Sequence, residues 1–342
     1  MRKGWIESFF GYLRRRMISQ FFSAAQLGKN DWWRYLVGFL LVFMGIAVIG
    51  YIPMLIVIFL KVFRGEIDDT DLQYFLNSLD FQFVQIGNNF GIFLLLLSFL
   101  ISLLILIWVL KTFHHRSIRT VIHGMESIRW GRIGFAFALW FGFSVITEVI
   151  SYTLDPDLYQ FQFDLKTFLP LLIISLTLIP IQTSFEELLF RGYLLQGLAL
   201  SGMKLIWPLI LTSIGFGLMH GMNPEVQEFG AGKMMIYYIG SGILLGVLTI
   251  MDDGLELALG THAATNFFAA TCVTFESAAL KTDALFKVTE INLDLTLIGF
   301  IILSSLFILI CSWKYKWTHW SRLLEPAKFS NQNSQIEGNE IA

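Results

Sequence analysis

The sequence has little charge for its length. Only 15% of its 342 residues are charged, whereas 55% are hydrophobic. Soluble globular domains carry about 25% charged residues, so this chain has too few to cover a surface that faces water. Several apolar runs also exceed the roughly 18 residues that indicate a membrane-crossing helix. The composition therefore excludes a soluble domain and predicts an all-α, polytopic membrane helical bundle in contact with membrane lipid.

Cysteine is also scarce, with only Cys272 and Cys311 in the chain. Both lie in or beside apolar segments, so both are predicted to be small buried hydrophobic residues and no disulfide framework is expected. The net charge is −2, and the basic residues cluster only beside apolar segments. This distribution lacks the basic stripe of a nucleic-acid-binding protein, so no nucleic-acid partner is expected.

No cleavable signal peptide is expected. No apolar core precedes residue 36, and the first apolar segment is too long to be the core of a signal peptide. Residues 1–34 instead carry seven Lys or Arg side chains and are predicted to form a basic, amphipathic cytoplasmic segment. The aromatic side chains available to lie on the membrane surface are Phe9, Phe10, Phe21 and Phe22.

The distribution of charge between the apolar segments predicts the topology. Lys and Arg crowd residues 1–34, 111–132 and the tail, whereas loops 62–90 and 153–168 are acidic. By the positive-inside rule both termini are cytoplasmic, which requires an even number of spans. About eight transmembrane helices are predicted, in the plasma membrane if the host is bacterial. Their apolar segments cover residues 36–60, 91–110, 134–152, 169–199, 206–220, 234–250, 255–272 and 294–312.

The apolar segment 169–199 is unusually long and contains Pro180. It could be one kinked helix or a short span followed by a re-entrant helix, because such breaks are tolerated where backbone lines a cavity. Two full crossings would place the basic tail outside, so one long, kinked helix is preferred. The chain then divides into N-terminal transmembrane helices over 35–160, a polar-centred transmembrane core over 161–312, and a cytoplasmic, largely disordered tail over 313–342.

Ionisable side chains interrupt the apolar sequence at Ile181–Tyr193, which reads IQTSFEELLFRGY. Such side chains are costly inside a membrane and by default mark a functional site. Arg191 follows Glu187 by four residues, so the two share a helix face and are predicted to pair. Glu186 points about 100° away from Glu187 and is left as the free carboxylate that faces a cavity. A carboxylate in an apolar pocket is suited to take a proton from water near neutral pH.

Two later segments each place a histidine in a four-residue spacing: Phe216–His220 reads FGLMH, and His262–Asn266 reads HAATN. An Asn one turn from a His can orient the imidazole or donate a hydrogen bond to an oxyanion. Measured along their helices, Glu186 and His220 each lie roughly 21 Å from a cytoplasmic turn, and His262 lies roughly 12 Å from one. Helix tilt can absorb this difference, so the three motifs are predicted to meet inside the membrane.

Each of these motifs has a structural alternative when it is taken alone. A single His near a helix end is usually a hydrogen-bonded structural residue, and a buried Glu–Arg pair is often structural as well. Their joint occurrence at compatible depths favours a functional site. Glu148 is a further buried acid and is interpreted as structural or cavity-lining. His114, His115 and His123 lie in a basic loop and are predicted to be solvated.

The order EExxxR, FxxxH and HxxxN within hydrophobic helices resembles the CPBP family. This family comprises the CAAX-protease and bacteriocin-processing (Abi) intramembrane proteases, which are related to the Ras-converting CAAX endopeptidase. The resemblance covers about residues 165–312 and implies that Glu186 activates water with His220 as its partner. It implies that His262 and Asn266 stabilise the oxyanion. The residues that would support the site are Glu187, Arg191 and Phe216.

The resemblance does not decide whether the site needs a metal ion. Water activation by Glu and His needs no metal, so no cofactor is expected, although two His and a carboxylate could instead hold Zn²⁺ with an open position. The zinc ligands would then be Glu186, His220 and His262. The substrate is expected to be a membrane-associated peptide or protein. The alternatives are a non-catalytic CPBP-like bacteriocin-immunity or membrane scaffold protein and, less favoured, a proton-coupled transporter, since the sequence shows no inverted repeat.

Overall fold

The computed structural model describes residues 19–124 and 127–329. Helices dominate this part of the chain, and a π-helical turn interrupts both α2 and α7. Three short strands form one sheet. In chain order the elements are α1 (Gln20–Ser23), α2 (Trp32–Phe63), α3 (Asp69–Ser78), α4 (Asn88–Thr112), α5 (Arg119–Ile122), α6 (Trp130–Leu154), β1 (Tyr159–Phe161), α7 (Leu165–Ala199), α8 (Ile206–Met219), α9 (Pro224–Phe229), α10 (Ala231–Asp252), α11 (Glu256–Thr271), β2 (Val273–Phe275), β3 (Phe286–Val288) and α12 (Leu293–Tyr315).

Six helices among the described residues are long and apolar enough to cross a membrane: α2, α4, α6, α7, α10 and α12. The other two predicted segments are helical as well, but α8 has 14 residues and α11 has 16, fewer than the roughly 20 that a crossing needs. The all-α polytopic bundle is therefore confirmed. Eight full crossings and the cytoplasmic side of both termini stay predictions. Both cysteines are free thiols.

Helix α7 is continuous from Leu165 to Ala199. The preference for one long helix over two separate segments is therefore confirmed, and Pro170 and Pro180 both lie inside it. Its irregular turn lies further along, where Leu188–Leu194 is π-helical. Such π turns occur mostly as single insertions in α-helices and are frequent at functional sites. Here the turn begins directly after Glu187.

The two acidic loops fold into a small cap at one end of the bundle. Helix α3 begins with a capping box, in which the side chains of Asp68 and Asp71 each accept the other residue's backbone N–H. In the sheet, β3 lies between an antiparallel β1 and a parallel β2. The cap residues that share one hydrophobic cluster with the spanning helices are Ile67, Phe75, Phe81, Val84 and Ile86.

Glu276 forms ion pairs with two lysines and so stabilises the segment between β2 and β3. Lys281 Nζ lies 2.7 Å from Glu276 Oε1, and Lys287 pairs with the other carboxylate oxygen. The two ammonium groups hold the pKa of Glu276 down at about 2. Lys281 also reaches Asp80 at 2.8 Å, so the same cluster joins the segment between β2 and β3 to the acidic loop that contains α3.

Glu276→Gln is expected to destabilise the protein only slightly, by less than about 1 kcal/mol, because the Glu276 side chain is 64% exposed and solvent screens its ion pairs. The folded pKa lies below the ordinary value of 4.5, so the contribution is complete above that pH and is lost as the pH falls towards 2. Thermal unfolding of wild type and variant should therefore differ at pH 7 and converge in acid. If the two unfolding temperatures differed by the same amount from pH 7 down to acid, the ion pairs of Glu276 would not be the source of the difference.

At the end of the bundle opposite the cap, the carboxylate of Asp253 contacts residues near both ends of the described chain. It lies in the turn between α10 and α11 with a left-handed backbone, φ 57°. The side chains of Ser19 and Arg322 both contact its carboxylate, and the backbone N–H of Gln20 donates to it at 2.8 Å. One acid thus links the segment before α2, the α10–α11 turn and the segment after α12.

The N-terminal aromatic pair is buried rather than laid on the membrane surface. Phe21 and Phe22 are completely buried in the largest hydrophobic cluster, with ring centroids 5.1 Å apart. The prediction was wrong for these two residues, because the contacts of α1 with the core bury them. Phe9 and Phe10 lie outside the described residues, as does all of 1–18.

Part of the predicted disordered tail is folded too. The carbonyl of Glu325 accepts from Leu205 N at 3.0 Å, and that of Lys328 accepts from Ser19 N at 3.0 Å. Pro326 forms an antiparallel bridge with Lys204. These backbone contacts hold the tail against the core as far as residue 329, contrary to the prediction, while 330–342 lie outside the described residues.

Two of the three loop histidines that were predicted to be solvated are buried. His114 Nε2 is hydrogen-bonded to the Tyr193 hydroxyl at 2.9 Å, and burial lowers the pKa of the imidazole. His123 is 5% exposed, with Nδ1 3.3 Å from a carboxylate oxygen of Glu256. Only His115 of the three is exposed as predicted. The loop turns inward because its polar side chains bond groups on α7 and α11.

Two glycines allow α8 to pack closely against α10. A Cβ added at Gly217 would lie 2.6 Å from Ile239, and one added at Gly242 would lie 2.9 Å from the backbone of α8. Small residues let membrane helices approach in this way. The close packing brings His220, directly after α8, level with Tyr238 on α10.

Candidate active site

A buried chain of polar groups runs from α7 to α11. Arg191 Nη1 donates to Glu187 Oε1 at 2.8 Å, as the four-residue spacing predicts. The same oxygen accepts from His262 Nδ1 at 2.7 Å. Glu187 and Arg191 are completely buried, and His262 is 7% exposed. Because a carboxylate can only accept, Nδ1 of His262 is the donor, and Nε2 of the ring is turned away from Glu187.

Glu186 lies on the other side of the His262 ring. Its Oε2 is 3.5 Å from His262 Nε2, so a single imidazole bridges both glutamates. Oε1 accepts from Gln182 Nε2 at 3.1 Å, whereas the buried Oε2 accepts no hydrogen bond from any residue that the structure describes. Buried polar atoms are normally satisfied by protein or by ordered water. Oε2 is therefore the carboxylate oxygen at which a water can bind.

Gln182 connects the carboxylate to the asparagine of the third motif. Its Oε1 accepts from Asn266 Nδ2 at 3.3 Å, while its own amide nitrogen donates to Glu186. Gln182 is one turn before Glu186 on α7, and Asn266 is one turn after His262 on α11. An Asn amide has two N–H donors, so Asn266 keeps a second donor after it has bonded Gln182.

His220 is held by its own motif. Its Nδ1 donates to the Phe216 carbonyl at 2.8 Å, which makes Nε2 the acceptor of the neutral ring. The imidazole lies against the Phe216 ring at 4.5 Å and the Tyr238 ring at 4.6 Å between centroids. Phe216 also contacts the His262 ring at 5.8 Å, and the Arg191 guanidinium lies 4.2 Å from its centroid. Phe216 therefore packs against all three polar segments.

The structure brings the three predicted motifs together, with one pairing that differs. Among the described residues no hydrogen bond or ion pair joins Glu186 to His220. His262 takes the place beside Glu186. Glu187, predicted to hold α7 in place with Arg191, also orients His262. The observed arrangement is a carboxylate–imidazole–carboxylate bridge rather than a Glu186–His220 pair.

The motifs did not include two residues that contact this cluster. Gln182 precedes Glu186 by four residues in an apolar helix, and that spacing was a usable signal for an interaction with the carboxylate. Tyr238 had no such signal, because it comes from another helix and reaches His220 only through the packing of α8 on α10. Glu148, the other buried acid, accepts from the Tyr159 hydroxyl at 2.5 Å beside the cap.

The residues that were considered for zinc do not fit a metal site as they are arranged. His262 uses Nδ1 for Glu187 and turns Nε2 to Glu186, while His220 makes no close polar contact with either residue. In the described parts of the chain, no group of three or more His, Cys, Asp or Glu side chains could hold a metal ion. No step of the chemistry below is therefore routed through a metal.

These features define the class of protein: an integral, multi-pass membrane protein whose helices enclose a cluster of two carboxylates and two imidazoles. Residues 166–268 match the sequence model of the family described as Rce1-like, type II CAAX prenyl endopeptidase Rce1-like. The chain belongs to this family of membrane proteases. The matched region contains all three motifs, from Glu186 through Asn266.

A relative is similar to this chain over a longer stretch. The Bacillus subtilis (strain 168) protein named "Uncharacterized protein YyaK" is 34% identical over 273 residues, which cover 78% of this chain and 86% of that protein. Only 182 residues follow residue 160 (342 − 160), so the similarity also extends into the N-terminal helices. No solved structure matches the chain.

Proposed function

We propose that the protein is an intramembrane endopeptidase that hydrolyses a peptide bond of a membrane-associated peptide or protein, with Glu186 as the base that activates water. One observation carries this proposal. Glu186 Oε2 is buried, accepts no hydrogen bond from the described residues and faces an imidazole nitrogen 3.5 Å away. A water bound there touches a proton acceptor on one side and a second ionisable group on the other, as general-base catalysis requires.

In the first step, Glu186 takes a proton from the water while the water oxygen bonds to the carbonyl carbon of the peptide. The carbonyl becomes a tetrahedral oxyanion and needs fixed hydrogen-bond donors. The free N–H of Asn266 is one candidate donor, since its other N–H is bound to Gln182. Nε2 of His262, held in place through Nδ1 by Glu187, supplies a second position for a proton.

In the second step, the oxyanion collapses and the carbon–nitrogen bond breaks. The leaving nitrogen requires a proton, and the one taken up by Glu186 balances the reaction, giving one carboxylate product and one amine product. His220 presents an unprotonated Nε2, because its Nδ1 is committed to the Phe216 carbonyl. We assign His220 the transfer of this proton between Glu186 and the leaving nitrogen.

The test is cleavage by the purified protein of a library of single-span peptides, together with peptides ending in a prenylated CAAX sequence, in detergent micelles or proteoliposomes. Mass spectrometry of the products identifies the bond that is cut. Cleavage of the prenylated arm alone would assign a CAAX substrate, and cleavage of the single-span arm would assign a broader membrane-peptide substrate. Absence of cleavage in both arms would favour the scaffold alternative.

Cleavage is expected to survive chelation. Glu186 and the imidazoles supply the base and proton positions by themselves, so incubation with 1,10-phenanthroline or EDTA should leave the rate within about twofold of the untreated rate. The control is a zinc protease assayed in the same detergent, which must lose activity. Loss of cleavage that is restored by added Zn²⁺ would contradict the metal-free scheme.

A further inference from the structure

The His220 imidazole lies against two aromatic rings. Phe216, one turn earlier on α8, is tilted at 45° with its centroid 4.5 Å away. Tyr238, on α10, is nearly parallel to the imidazole at 27° with its centroid 4.6 Å away. The bond from Nδ1 to the Phe216 carbonyl fixes the ring's rotation. Two aromatic rings and one hydrogen bond therefore constrain the imidazole, and of these contacts the one from Tyr238 comes from another helix.

That contact is itself anchored by polar groups. The Tyr238 hydroxyl donates to Glu225 Oε1 at 2.8 Å and accepts from Asn223 Nδ2 at 3.1 Å. Glu225 is 9% exposed and Tyr238 is 7% exposed, and burial raises the pKa of the Glu225 carboxyl. A carboxyl group buried between helices is costly unless it makes a specific bond. Here one such bond comes from the hydroxyl of Tyr238, the tyrosine that packs on His220, and Asn223 is a second side-chain partner of the carboxyl group.

The backbone explains why these groups meet. The chain turns directly after His220, and Asn223 and Glu225 begin the short helix α9. Val226 of α9 packs with Tyr238 and Met234 of α10 in one hydrophobic cluster. The segment that follows the site histidine therefore folds back on α10 and delivers a hydrogen-bond acceptor to the Tyr238 hydroxyl.

We propose that Tyr238 and Glu225 are positioning residues for His220: Glu225 fixes the Tyr238 ring, and the ring holds the imidazole so that Nε2 points to the reacting peptide bond. This inference rests on the proposed function. Neither residue takes part in bond making or breaking. Their effect passes through the orientation of His220, so it is exerted on proton transfer rather than on substrate binding.

Substitutions can remove the stacked Tyr238 ring and its hydrogen bond to Glu225 separately. Tyr238→Leu removes the stacked ring and is expected to lower kcat by about 10- to 100-fold with KM unchanged, since small misplacements of a catalytic group cost this much. Tyr238→Phe keeps the ring but loses the bond to Glu225, so a decrease of about three- to tenfold is expected. Glu225→Leu should match Tyr238→Phe, and Glu225→Gln, which keeps an acceptor, should restore most of the rate.

Neighbouring residues provide matched controls. Tyr237 is adjacent on α10; its ring packs against Phe300 at 5.2 Å and edge-on to Tyr238 at 5.7 Å, so Tyr237→Phe, which keeps both ring contacts and loses only the hydroxyl, should leave kcat unchanged. Glu228 is exposed on the same short helix as Glu225, so Glu228→Leu should do the same. Equal kcat values for the Tyr238 and Tyr237 variants would overturn the inference. If Glu186→Gln were inactive in that same experiment, the proposed protease function would still stand.

A second measurement needs no peptide substrate. Diethyl pyrocarbonate modifies unprotonated imidazole, and mass spectrometry follows its reaction at each histidine of the intact protein in micelles. Relative to the exposed His319 in the same sample, His220 should react severalfold faster in Tyr238→Leu than in wild type. In Tyr238→Phe, which keeps the ring and the fold, it should react only slightly faster. An unchanged ratio in both variants would refute the positioning role, whether or not a cleavable peptide is in hand.

Discussion

Glu186→Gln is expected to lower kcat for peptide cleavage by about 10²- to 10⁴-fold, the range that a general base contributes. Glutamine has nearly the same shape and can still accept from Gln182, whose amide lies 3.1 Å from Glu186 Oε1 in the wild type. It cannot take a proton from water. The loss should therefore appear in kcat, while KM for the same peptide and the unfolding temperature stay close to the wild-type values.

The matched control is Glu148→Gln. Glu148 is another partly buried acid on a spanning helix, but its carboxylate accepts from Tyr159 beside the cap. This substitution is expected to leave kcat unchanged. The measurement compares initial rates for one peptide from the library at several concentrations, with thermal unfolding recorded for each variant. Equal rates for wild type and Glu186→Gln would remove Glu186 from the base role and leave the proposed mechanism without its first step.

Much of the site could be predicted because its information is local. Four-residue spacing places Arg191 on the Glu187 face and Phe216 on the His220 face, and both contacts are present. Charged residues within long apolar segments indicated where to look, since they are costly in a membrane. Helix rise then gave compatible depths for the segments, and the structure brings them together.

The partner of each group could not be predicted in the same way. A helix rotation of about 100° per residue separates Glu186 from Glu187, but only tertiary packing decides which imidazole lies between them. The family resemblance implied His220 as the partner of Glu186, and the structure has His262 beside it. Tyr238 contacts His220 through helix packing that depends on Gly217 and Gly242, and glycine positions alone do not reveal their partner helix.

The same limit explains the errors at the ends of the chain. Basic and aromatic residues before α2 are typical of a membrane-surface segment, and polar residues after Pro326 are typical of a disordered tail. Both interpretations rest on composition. Over the described residues both interpretations fail, because the Asp253 carboxylate binds Ser19, the Gln20 backbone and Arg322 at once and so holds both segments against the core. A contact that joins residues more than 200 positions apart leaves no local pattern.

Arg191→Met is expected to have the largest effect on stability, a loss of about 3–5 kcal/mol, because it leaves a buried carboxylate without its cation. Glu187 would keep only the bond from His262, and the guanidinium that lies 4.2 Å from the Phe216 ring would also be gone. Thermal unfolding in micelles measures this loss. Arg64→Met is the control, since Arg64 is 66% exposed and surface changes usually stay within about 0.5 kcal/mol.

The double variant Glu187→Gln with Arg191→Met separates the charge balance from the orientation of His262. Removing both members of a buried ion pair is often close to neutral for stability. The double variant should therefore recover most of the decrease in unfolding temperature that Arg191→Met causes. Cleavage should stay impaired, because a neutral amide replaces the carboxylate that fixes His262 Nδ1 at 2.7 Å. Recovery of both stability and kcat would mean that Glu187 serves only to neutralise Arg191. Recovery of stability alone would assign Glu187 the orientation of the imidazole that faces Glu186.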